Sequence, residues 1–238
     1  MNQLFRRAFA FPADGRPWRN AMQWWLLVAI FFAGLYAVGA AILLGRTLPP
    51  LMLDALCQAF VLAAMLGMFR TLPPKASLAD KLGICRLRKK DVLLVLVMLP
   101  VIYLWQFTST ALWEKLLHAL SIEYQENQAL LEWCAAGSWR RYLFMLLTIG
   151  VMTPATEELF FRRVIFGLFR PLGMWAALAL TSLIFSSAHL FLHGFPALFG
   201  LGAIFQYIYL RSGNLAASVL AHALFNCIAL TMVFFTGV

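Results

Sequence analysis

The chain has 238 residues, of which 63% are hydrophobic and only 12% charged, with mean hydropathy +0.81. Ordinary soluble domains are about 45–50% apolar and about 25% charged, so the composition excludes a soluble globular protein and one membrane-embedded unit takes up the whole length. The net charge of +9 does not indicate a nucleic-acid partner, because Lys and Arg sit at the ends of apolar runs, as topology signals do, and are not interleaved with surface aromatics. The four cysteines, Cys57, Cys85, Cys134 and Cys227, lack the spacing of a disulfide framework or a cysteine metal site.

Residues 1–20 form a basic arm with Arg6, Arg7, Arg16 and Arg19 against Asp14, expected at the cytoplasmic interface. Spans of about 20 apolar residues, with no alternating barrel pattern, predict an all-α polytopic bundle of about seven transmembrane helices, or eight if part of 114–139 inserts. The apolar runs place a retained first span near 21–45 and a second near 51–69. Seven cations between Arg70 and Lys90 mark a cytoplasmic loop. A third span is expected at 92–113, bent at Pro100. The acidic stretch 114–139 reads as a non-cytoplasmic loop with short amphipathic helices, completing an N-terminal membrane region over 21–139. Residues 140–238 then carry a long helix from Tyr142 to Phe169 and spans at 174–192, 197–210 and 215–235.

Counted on alternate sides, fifteen Lys and Arg fall on one side and four on the other. The positive-inside rule then puts the N-terminus in the cytoplasm of a multi-pass protein, expected in a bacterial inner membrane.

Three polar places interrupt the apolar 140–238 region. The first is Thr-Pro-Ala-Thr-Glu157-Glu158-Leu-Phe-Phe-Arg162-Arg163. A carboxylate in hydrocarbon costs at least several kcal/mol, so each acid there needs a reason. Glu158 and Arg162, four apart, share a helix face and form an ion pair; Glu157 is turned about 100° away from them. The second place is Phe185 with His189, and the third is His222 with Asn226, each pair again four apart. Counted from the turns at 171–173, 193–196 and 211–214, Glu157, His189 and Asn226 fall at similar depth. Singly, the histidines and Asn226 suit interhelical packing, and His118 and His193 suit solvated positions. Ser186, Ser187 and Ser218 read as packing residues. Together, Glu157, two imidazoles and a carboxamide at one level suit base chemistry in a buried pocket.

Glu157-Glu158-x-x-x-Arg162, Phe185-x-x-x-His189 and His222-x-x-x-Asn226, in this order, resemble the CAAX-protease and bacteriocin-processing (Abi) family of intramembrane proteases, as does Tyr209–Leu215. The resemblance covers about 142–230. It implies that Glu157 is a general base activating water, that His189 helps to hold this water, and that His222 and Asn226 stabilise the oxyanion. Glu158 and Arg162, with Phe185, would support that geometry. No cofactor is implied, although Glu157, His189 and His222 also make a carboxylate and two imidazoles for zinc. The partner would be a membrane-tethered peptide or protein in the bilayer. A proton-relaying transporter and a non-catalytic immunity protein are the alternatives from other classes.

Overall fold

The computed structural model describes residues 50–71, 77–124 and 138–236; the basic arm and the expected first span lie outside these. Within them are helices α1 (Pro50–Thr71), α2 (Leu78–Leu82), α3 (Lys89–Ala119), α4 (Trp139–Leu172), α5 (Met174–Ala188), α6 (Phe195–Ser212) and α7 (Leu215–Thr236). The chain is an all-α membrane bundle. Helices α3, α4 and α7 are long and apolar enough to cross a bilayer, and α1 and α5 contain shorter apolar segments. Side chains such as Leu93, Leu96, Leu104, Phe107 and Leu112 on α3 are more than half exposed, giving the apolar outer face expected against lipid.

Helix α6 is central and contacts α3, α5 and α7. On one side Val95 and Ile102 of α3 meet Leu201, Phe205 and Ile208 of α6 and Ala217 and Ala221 of α7. At the basic end Val61, Met65 and Phe69 of α1 pack with Phe160, Phe161 and Val164 of α4, Phe185 of α5 and Tyr209 of α6.

The basic end is tied by backbone recognition. Gly213 closes α6 at φ 66, a left-handed conformation that suits glycine. Asn214 then accepts from the Cys85 N–H and donates to the Cys85 carbonyl, both at 3.0 Å. The Leu215 N–H donates to the Gly83 carbonyl at 2.8 Å. Arg88 grips Asp91 through two 2.9 Å bonds and donates to the Ser212 carbonyl at 2.7 Å. These bonds fix where α7 starts, and so fix the depth of His222, about 10 Å further along it.

Four expectations are corrected. Helix α3 contains Pro100 and runs on to Ala119, so Glu114, Lys115 and His118 are helical and not in a loop. Arg162, counted among the fifteen cations of the basic side, is 1% exposed and bound to Glu158 as the spacing predicts, so it is an internal ion-pair partner and no topology charge. His193 is not a solvated turn residue: its Nε2 lies 2.6 Å from Glu114 Oε1, and its ring stacks on Tyr124 at 4.6 Å.

The fourth correction concerns α5, which ends at Ala188 and not near Leu192. His189 ends it. Its N–H turns to the Ser186 carbonyl, while its own Nδ1 takes the Phe185 carbonyl at 2.7 Å, a side-chain competitor for the helix bond. Leu190 follows at φ 51, outside helical space.

Candidate active site

Helix α4 has two π-helical stretches, Thr148–Met152 and Leu159–Ile165, on either side of Thr153–Glu158. Wide turns of this kind occur often at functional sites, and here the sequence explains the first. Pro154 has no N–H and its ring crowds the carbonyl four residues back. The Thr153 N–H reaches past Ile149 to the Thr148 carbonyl. The Ile149 carbonyl is thus available, and Asn226 Nδ2 donates to it from α7 at 2.9 Å. That bond fixes which way the Asn226 amide points and leaves its second N–H for another acceptor.

The next turn of α4 presents both acids. Glu158, fully buried, receives Nε and Nη2 of Arg162 at 2.8 and 3.0 Å, a forked, charge-assisted pair. The Arg162 guanidinium lies over the rings of Phe185 and Phe205, 5.3 and 6.0 Å from their centroids, within cation–π range. The Ser218 hydroxyl sits between Glu158 Oε2 and the Phe205 carbonyl and donates to one of them at a time. His222 places Nδ1 3.1 Å from Glu158 Oε1 and stacks on Phe205 at 4.5 Å. Ser218 is therefore a member of the buried polar network and not a packing residue. Its spacing of four from His222 was the available signal.

Glu157 faces a different direction, toward a cavity of about 490 Å³ lined by His189, His222 and Asn226 and also by Gln58, Thr153, Phe161 and Phe185. Its Oε1 is 4.0 Å from His189 Nε2 and its Oε2 3.9 Å from His222 Nε2. The structure thus brings together Glu157, His189, His222 and Asn226, with Glu158, Arg162 and Phe185 behind them. Gln58 was given no role by the sequence pattern, being, with Asp54, one of two polar residues in the second expected span.

The outer bonds decide what each ring can offer. A carbonyl only accepts, so His189 Nδ1 carries a proton and its Nε2, when the ring is neutral, is an acceptor facing Glu157. His222 Nδ1 donates to Glu158 in the same way, and its Nε2 becomes a donor only when the ring carries both protons. Water hydrogen bonds are about 2.8 Å long, so one molecule fits at the apex between Glu157 and His189. Zinc ligands at about 2.0–2.2 Å from a tetrahedral ion stand about 3.4 Å apart, closer than the 3.9 and 4.0 Å found. Among the described residues, no three His, Cys, Asp or Glu side chains are grouped to hold a metal.

This pocket of one acid, two histidines and an oriented carboxamide, with a buried ion pair behind it, can hold a water and polarise it. Residues 139–228 match the family model for the type II CAAX prenyl endopeptidases, Rce1-like. The chain is also similar to the membrane-embedded CAAX protease MroQ of Staphylococcus aureus (strain USA300), with 34% identity over 94 residues, 37% of this chain. The match covers 38% of that relative's length. No solved structure matches.

Proposed function

We propose that the cavity is the active site of an intramembrane endopeptidase that cleaves a membrane-associated peptide or protein with a water activated by Glu157. The observation that carries this reading is the Glu157 carboxylate within 4.0 Å of two Nε2 atoms in a cavity large enough for a peptide segment. The similarity to a protease named as membrane-embedded supports it.

In this mechanism a water donates its protons toward Glu157 and His189 Nε2 and turns a lone pair to the scissile carbonyl carbon. As the C–O bond forms, Glu157 takes the proton. The oxyanion meets the second N–H of Asn226 and the Nε2–H of a doubly protonated His222, whose ring Glu158 holds through Nδ1. Such fixed donors in a site shielded from bulk water are the larger part of acyl-transfer catalysis. When the C–N bond breaks, Glu157 returns its proton to the leaving amine. No metal takes part.

The basic end, where Arg163 donates to the Lys81 carbonyl and Arg88 to that of Ser212, is placed in the cytoplasm with the N-terminus, on the charge asymmetry. This would put the reaction in the cytoplasmic half of a bacterial inner membrane. A reporter fused at Val238 should then be active outside the cytoplasm.

The test compares membrane peptides by mass spectrometry in cells carrying wild-type protein or Glu157→Gln, then assays the purified protein on the peptides that differ. Turnover should fall on the order of 10²–10⁴-fold with the fold intact, and should survive exhaustive chelation. Undiminished turnover in Glu157→Gln overturns the reading, and stoichiometric zinc with chelator-sensitive activity replaces it with the metal version.

A further inference from the structure

One polar group on the cavity wall has no part in that reaction. Gln58 stands on α1, whose neighbouring Leu56 and Phe60 are more than half exposed, yet Gln58 itself is only 7% exposed and lines the same cavity as Glu157, His189, His222 and Asn226. Its Oε1 is enclosed and meets no hydrogen-bond partner among the described residues. Thr153 Oγ1, across the contact between α1 and α4, is likewise buried without a partner and lines the same space.

Leaving a buried amide oxygen unsatisfied costs about 1–3 kcal/mol, whereas an apolar group of the same shape would cost little. Native structures rarely keep such a group without a use for it. Of the other polar side chains of the cavity, Glu157, His189, His222 and Asn226 are those the reaction uses, and the last three are held from behind by Phe185, Glu158 and Ile149. Among the described residues Gln58 has no such tether. A carboxamide is uncharged and offers an acceptor and two donors, the complement of a peptide group's own N–H and C=O. It therefore suits main chain in extended form, and it suits neither a charged side chain nor an alkyl chain.

We propose that Gln58 is a substrate-positioning residue that hydrogen-bonds the main chain of the bound peptide beside the scissile bond, with Oε1 accepting from a peptide N–H. This rests on the protease reading. It implies that α1, outside the region matched to the CAAX-protease family, forms one wall of the substrate site, and that this wall reads backbone and tolerates varied side chains.

The full chain is tested in lipid nanodiscs with a synthetic version of the peptide that accumulates most in cells carrying Glu157→Ala. Gln58→Leu should raise KM about 10-fold, the equivalent of one lost hydrogen bond that leaves a peptide N–H unpaired, with kcat largely kept. Gln58→Asn, with the same amide on a shorter stem, should recover part of the loss. Binding of the uncleaved peptide to Glu157→Gln, with and without Gln58→Leu, reads the same contact without turnover. If wild-type protein cleaves nothing while Gln58→Leu still weakens binding, hydrolysis falls and the contact stands. Thermal unfolding supplies the remaining arm, and it needs no peptide. Gln58→Leu should melt at the same temperature as wild type or higher. A lower melting temperature makes Gln58 structural and overturns the proposal, as does peptide binding that Gln58→Leu leaves unchanged.

Discussion

Asn226 donates its side-chain amide to the carbonyl of Ile149, 2.9 Å away on a different helix, and it can do so because Pro154 leaves that carbonyl open. Proline breaks the hydrogen-bond ladder of α4 one turn before the acids, and α7 completes it. The proposed oxyanion donor is thereby oriented by a defect in the helix that carries the proposed base.

Pro154→Ala restores an N–H that can compete for this stretch of carbonyls and narrows the wide turn. The expected result is a folded protein whose kcat falls about 10- to 100-fold, since misplacement by about an ångström costs on this scale. Steady-state kinetics on the cleaved peptide, with circular dichroism as the fold control, checks it. Equal kcat in both proteins would show that the Asn226–Ile149 bond does not set the donor's position.

Arg162→Met leaves Glu158 as a buried charge with only Ser218 and His222 against it. Breaking a buried pair from one side costs about 3–5 kcal/mol, and denaturant unfolding in detergent should show a loss of that size. Arg162→Lys should not restore it, because an ammonium cannot fork onto both oxygens of Glu158 while lying flat on Phe185.

Gly200 is a point of close approach between α6 and α3. A Cβ there would lie 2.0 Å from ring atoms of Trp105, whose Nε1 donates to the Ala197 carbonyl at 3.1 Å. Gly200→Ala should therefore destabilise by about 1–3 kcal/mol through overpacking. Adding Trp105→Leu should recover part of that loss, read as a coupling energy in a double-mutant cycle.

His193 and Glu114 tether the backbone between α5 and α6 to the end of α3. The pair is partly exposed, so Glu114→Gln should cost no more than about 1 kcal/mol. In hydrogen exchange this would be up to about fivefold faster opening at residues 189–194, with the core amides unchanged.

The sequence pattern carried the acids, the histidines and Asn226 to one level because helix rise and turn positions are local quantities. The Glu158–Arg162 pair was legible for the same reason, being four residues apart. What it could not show were relations across the bundle. Ser218 became a partner of Glu158 through the crossing of α4 and α7. His193 met Glu114 because α3 runs six residues past its expected end. Gln58 gained its place from the packing of α1 on α4. The early stop of α5 lay in the tendency of His189 to bond its own carbonyl, which periodicity does not register.

That early stop leaves α5 with 15 residues, a rise of about 22 Å against a hydrocarbon layer of about 30 Å. A stretch this short is matched by thinner lipid, by flanking side chains that reach the interface or by neighbouring protein, at a fraction of a kcal/mol for each ångström of mismatch. The short end is where His189 ends the helix and Leu190 stands 93% exposed. In the proposed protease, a substrate approaching on that flank would meet headgroups and their water sooner than beside the longer helices. A helical substrate, no longer held by dry surroundings, would unwind there more readily into the extended form that the proposed hydrolysis requires.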